Sequence, residues 1–234
     1  MKTELNLSVL PAEQQEIWRA FTDADLSDFM LYGGTALALQ YGHRLSLDFD
    51  FFGSAQVTPA LMQKRIPWLA DNTVAVLQNS PNTYTVQAHS PTSPLGKPVK
   101  LSFFGGLDFP TMGEPIQADN SLEIASVRDL LATKLKAVYG RIEAKDYIDI
   151  AEILKRSDTP SKLLEKGLSD YQVLVNAPDA ASPLRALCWF ENGDLSSVNR
   201  STRDLLESTA AQVGDIPKPE PFFRPRIGIA RRSR

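Results

Sequence analysis

The stretch LYGGTALALQYGHRLSLDFDFF, Leu31 to Phe52, decides how this chain is read. Its end, LSLDFDFF, alternates as a strand does, and residues two apart on a strand share a face. Asp48 and Asp50 therefore point one way, while Leu47, Phe49 and Phe51 point the other. Two carboxylates held side by side repel and resist joint ionisation. A divalent cation is the usual remedy: Mg²⁺ takes hard carboxylate oxygens together with substrate phosphates, and Mn²⁺ can stand in for it. The plainer alternative is an exposed strand on which both acids face water.

Upstream, Gly33 and Gly34 close the apolar strand FMLY and open a short helix, TALALQYG, with Thr35 near its start. A strand–Gly-Gly–helix turn lets a phosphate approach the N–H groups and positive dipole of a helix start. A tight turn needing positive φ would use the same glycines. Taken together, the turn and the acid pair place an anion site beside a metal site, as a metal-bound nucleoside triphosphate (NTP) requires.

Gly33–Gly34, thirteen residues, then Asp48-Phe49-Asp50-Phe51 resembles the signature of the polymerase β-type nucleotidyltransferase superfamily. The fuller wording of Leu31–Phe52 is similar to the opening of the catalytic domain in AbiEii/AbiGii-type nucleotidyltransferase toxins. The resemblance implies an enzyme that transfers a nucleotide from an NTP to an acceptor, the tRNA 3′ end in the first place, within a toxin–antitoxin system. It implies an α+β fold: a nucleotidyltransferase-type mixed sheet with flanking helices, then a mainly helical C-terminal domain. Asp48 and Asp50 would hold Mg²⁺. Gly33, Gly34 and Thr35 would cradle the phosphates, helped by Arg44, with Ser46 beside the acids. Otherwise Arg44 is a surface charge and Ser46 a small polar neighbour.

A second block, ATKLKAVYGRIEAKDYIDIAEIL, reads as two helices. Lys134 lies four residues from both Leu130 and Val138, inside the apolar stripe of its helix. There it either snorkels out along its stem or reaches a phosphate. Asp146 suits a helix N-terminus, and Asp149 borders a buried face between Ile148 and Ile150. The toxin family carries a lysine on one helix and a KD..D element on the next, so the resemblance assigns Lys134, Lys145, Asp146 and Asp149 to nucleotide binding and catalysis. Asp149 would orient or deprotonate the acceptor, or simply hold Lys134. One departure stands out. The strand VKLSFF, where many superfamily members carry a third acid, has Lys100 and Ser102 instead.

The remaining texture supports this division. TVAVLQ, TYTVQAH and VKLSFF read as a β-meander, and helical patterns dominate from SVRDLLATKLKAVYGR to about Val213. The expected domains are a catalytic domain over 1–118, a helical domain over 119–215 and a basic tail over 216–234.

The composition, 43% hydrophobic and 23% charged, is that of a soluble globular protein, and the formal net charge is −3. Residues 221–234 carry five arginines and no acid, leaving −8 elsewhere. This tail either touches RNA phosphates or is a disordered solubilising end. Lys97, Lys100, Lys134, Lys136, Arg141 and Lys145 are the candidates for a basic track toward RNA. No apolar run suits a membrane span or leader, so the expectation is a cytoplasmic protein without membrane partners. The lone Cys188, in LRALCWF, reads as a buried core thiol. His43 and His89 have no paired ligand, which argues against zinc or a Ser-His-Asp triad. Two rivals remain: a haloacid-dehalogenase-type phosphatase, in which Phe52 would stand where Thr or Val belongs, and a non-catalytic binding protein on the same fold.

Overall fold

Each segment of the first half forms the element its pattern favours. The computed structural model describes residues 4–108, 110–176 and 179–218. Pro11 introduces helix α1 (Ala12–Ala20), which buries Ile17 and Trp18. Strand β1 (Phe29–Tyr32) is buried at all four residues and leads directly into α2 (Gly33–Tyr41). That helix starts two residues earlier than its threonine suggests, and Gly42 ends it at φ +67°, a left-handed cap that costs glycine little. β2 (Asp48–Gly53) follows. Thr58 caps α3 (Pro59–Arg65) by accepting from the Leu61 N–H, and α4 (Leu69–Asn72) resumes the helix after Pro67.

The strands β3 (Thr73–Ser80), β4 (Thr83–Ala88) and β5 (Val99–Phe104) form the antiparallel meander, and β6 (Ile116–Gln117) and β7 (Glu123–Ile124) are short. All seven join one sheet in the order β3-β4-β5-β2-β1-β7-β6, with β2–β5 and β1–β7 parallel. The sheet is mixed, as the resemblance implies. Along β3 the register slips twice, between Thr73 and Ala75 and between Val76 and Gln78.

One face of the sheet holds an aromatic core. Phe21 packs edge-on against Phe49 at 5.5 Å and Phe51 at 5.2 Å, and Phe51 stacks on Phe103 at 5.4 Å. Each such buried ring contributes about 1.5–3 kcal/mol, which fixes the facing of β2. Leu47 does not share in it. It precedes the strand and is 64% exposed, because alternation orients a side chain only where the ladder exists.

This sheet belongs to a compact unit that runs to Ala125, and a second unit begins at Ser126. The second is helical: α5 (Val127–Gly140), α6 (Ala144–Lys155), α7 (Pro160–Val175), α8 (Ala181–Ala186) and α9 (Arg200–Ala211). Ser126 caps α5 by accepting from the Asp129 N–H. Arg128 grips Asp170 of α7 through two bonds of 2.6 and 2.7 Å. Gly167 lets α7 close on Leu131, since a Cβ there would lie 2.6 Å from that side chain. Cys188 corrects the expectation of a core thiol: it is exposed, the apolar anchor of its segment being Leu187. Among the described residues no helix is long and apolar enough to cross a membrane, and residues 219–234, with the arginine-rich tail, lie outside them.

Candidate active site

In the first unit, strand pairing assembles one small surface. Asp50 lies opposite Tyr32, the last residue of β1, and Asp48 pairs in register with Lys100 of β5. Gly33 follows Tyr32 at φ +74°, and a Cβ there would sit 2.7 Å from Asp50 Oδ2. Glycine is thus required twice, for the backbone and for the carboxylate beside it. Gly34 answers to a different neighbour: a Cβ there would fall 2.3 Å from an Arg44 guanidinium nitrogen. Arg44 also donates to the Leu45 carbonyl at 3.0 Å, so a fixed positive group lies over the start of α2. The N-cap residue Tyr32 makes no side-chain cap bond, and the first amides of a helix suit an anion.

Behind this surface Thr35 is buried, sharing a 2.7 Å hydrogen bond with Ser46 and donating to the Asp48 carbonyl. These bonds tie the helix start to the entry of β2. Ser46 lies before the strand, and its role here is to hold Thr35 rather than to continue the acidic face. Lys100 Nζ sits 2.8 Å from Asp48 Oδ2, with both side chains about one-third exposed. Ser102 pairs with Asp50 where a third acid would stand. Among the described residues no group of three or more His, Cys, Asp or Glu is placed to hold a metal ion. Asp48 and Asp50 are then a two-carboxylate donor set, which suits Mg²⁺, since that ion keeps most of its positions for water and phosphate oxygens.

The second unit holds a different arrangement. Lys134 Nζ lies 2.7 Å from Asp146 Oδ1 and 2.6 Å from Asp149 Oδ2, and both aspartates are fully buried. Arg141 adds bonds of 2.8 and 3.2 Å to Asp146. Burial pushes the Asp146 carboxyl upward, but Lys134 and Arg141 outweigh it and hold the group below the usual carboxylate range. Lys134 does not snorkel: its ammonium stays inside, between two acids. Lys145 stands apart, half-exposed and paired with Glu143 at 2.8 Å.

Within the first unit the structure gathers Gly33, Gly34, Thr35, Arg44, Ser46, Asp48 and Asp50 into one corner, and within the second it gathers Lys134, Asp146 and Asp149. Lys145 joins neither. Sequence reading named Lys100 as a strand residue in an acid's place and as part of a basic track, not as a partner of Asp48. Its contact with Asp48 depends on the parallel pairing of β2 with β5, which no local pattern announces. Ion pairing leaves less for a basic track, because Lys100, Lys134, Arg141 and Lys145 each face an acid.

The family model for the AbiEii nucleotidyl transferase toxins of type IV toxin–antitoxin systems matches residues 17–212. The chain belongs to this family. As an AbiEii-family protein it is a nucleotidyltransferase, and both rival readings fall. A protein of Aquifex aeolicus is 28% identical to it over 169 residues, 67% of this chain and 73% of that one. The nucleotidyltransferase toxin MenT4 of Mycobacterium tuberculosis superposes with a TM-score of 0.51 at 15% identity, covering 84% of this chain and 81% of that one. This likeness bears on the fold, and the fold agrees with the AbiEii assignment. JHP933 of Helicobacter pylori superposes at 0.49 and 20% identity, over 85% and 94% of the two chains.

Proposed function

We propose that the corner formed by β1, α2 and β2 binds the triphosphate of an NTP together with Mg²⁺ and transfers the nucleotide to a hydroxyl of an acceptor. One observation carries this reading: Gly33 brings the start of α2 against Asp50, so a helix N-terminus and an acid pair share one surface. Mg²⁺ on Asp48 and Asp50 would neutralise phosphate charge as it develops. The amides of Gly33, Gly34 and Thr35 would hold phosphate oxygens, and Arg44 would offer its guanidinium fork. The acceptor hydroxyl oxygen bonds to the α-phosphorus as its proton passes to solvent, the bond to the β-phosphate bridge breaks, and pyrophosphate leaves. Positioning and charge neutralisation supply the acceleration.

Family membership favours the tRNA 3′ end as acceptor and a cognate antitoxin as protein partner, in the cytoplasm. The pairing of Lys134 with Asp146 and Asp149 supports a role as their counter-charge. Incubating the protein with each radiolabelled NTP, Mg²⁺ and total RNA tests the reading. Label entering tRNA with release of pyrophosphate is expected. Label entering protein or a small molecule would leave the transfer reading standing and replace the acceptor.

A further inference from the structure

We infer that Lys100 serves in place of a second divalent ion, so that this centre takes one divalent ion per chain and the ammonium supplies the other positive charge. The inference rests on the proposed metal site and goes beyond it to the number of ions.

The first observation is positional. The parallel register sets Lys100 opposite Asp48 and Ser102 opposite Asp50, so β5 offers the acid pair a cation and a hydroxyl. Two-metal phosphoryl-transfer sites hold their ions about 3.5–4 Å apart, which takes carboxylates enough to bridge and share them. With Lys100 Nζ at 2.8 Å from Asp48 Oδ2, one lone-pair direction of the would-be bridging acid already faces an ammonium.

The second observation is electrostatic. Three carboxylates holding two divalent ions leave one net positive charge. Two carboxylates, one lysine and one divalent ion leave the same. The charge that balances a triphosphate is thus kept while an ion and an acid are both replaced. Lys100 is suited to this by exposure. At 38% exposed it has room to turn from Asp48 toward a phosphate oxygen when substrate arrives. A buried lysine would have lost that freedom.

Electron paramagnetic resonance of the full-length protein with Mn²⁺ and inorganic triphosphate reads the ion count directly, without turnover. The wild-type protein is expected to show one bound Mn²⁺ per chain with no spin-coupled pair. Lys100→Asp, which restores an acid on β5, should bind a second ion and give the coupled signal. Lys100→Met should stay at one ion and bind it several-fold more tightly, since the competing cation is gone. A melting curve on each variant checks that the sheet is intact. A coupled pair in the wild-type protein would overturn the inference while leaving the metal site in place. A single ion in Lys100→Asp would do the same. No bound Mn²⁺ in either, or binding unchanged by Asp48→Asn, would remove the metal site itself and the inference with it.

Discussion

Asp48 and Asp146 each face a lysine at nearly the same distance, 2.8 and 2.7 Å, yet the two pairs sit in opposite surroundings. Asp48 and Lys100 are each about one-third exposed. Water can solvate either partner when the other leaves, so the pair is worth little to stability and can exchange for a ligand. Asp146, Asp149 and Lys134 lie in the protein interior, where any one of them left alone would be a buried uncompensated charge. The comparison teaches that burial, not contact distance, separates a pair whose partners can exchange from one whose charges must stay together.

The largest expected effect breaks the buried side of this comparison. Lys134→Ala should cost about 3–5 kcal/mol, because two desolvated acids lose their cation, and urea unfolding measures it. Adding Asp146→Asn and Asp149→Asn should restore part of the loss. If Lys134→Ala instead melts normally and only nucleotide use falls, Lys134 belongs with the exposed, exchangeable charges. On the other side, Asp48→Asn or Asp50→Asn should reduce label transfer by about a hundredfold or more. The melting temperature should hold or rise, since one repelling acid is gone.

Gly33→Ala comes next, with about 1–2 kcal/mol of left-handed backbone strain and a displaced Asp50. Both stability and transfer should drop, whereas Gly34→Ala should move the Arg44 tip and spare stability. Acid titration sharpens the contrast further. Asp146 has a lowered folded value, so its stabilisation is present above the ordinary value of 3.8 and is lost as pH falls through the folded one. Lys134→Met removes the main cause of that lowering, so the stability lost between neutral and acid pH should shrink, as unfolding at several pH values would read. The smallest effect belongs to Lys145→Ala. Its pair with Glu143 is half-exposed, and about 0–0.5 kcal/mol is expected.

How much of this was legible in the sequence depends on range. The facing of Asp48 and Asp50 follows from a two-residue period, and Gly33–Gly34 announce a turn, so the corner could be assembled before any coordinates. Lys134 stood visibly within an apolar stripe, but its acids lie on the next helix, and nothing local distinguishes a snorkelling lysine from a clasped one. Lys100 needed the strand order, a property of the whole sheet. Leu47 and Cys188 misled for a shared reason. An apolar neighbourhood in sequence describes a segment's average, whereas exposure is decided one side chain at a time by where the ladder or helix ends.

The two register slips in β3 carry a consequence for how this protein behaves at high concentration. β3 spans eight residues against the six of β4. The surplus falls at Val74 and Leu77, both about half exposed. These bulges twist an outer strand that would otherwise offer a flat run of amides and carbonyls to any second chain. Deleting both residues would pair β3 with β4 residue for residue and leave a straighter outer edge, the geometry that favours edge-to-edge pairing between chains. The irregularity acts as a guard against aggregation.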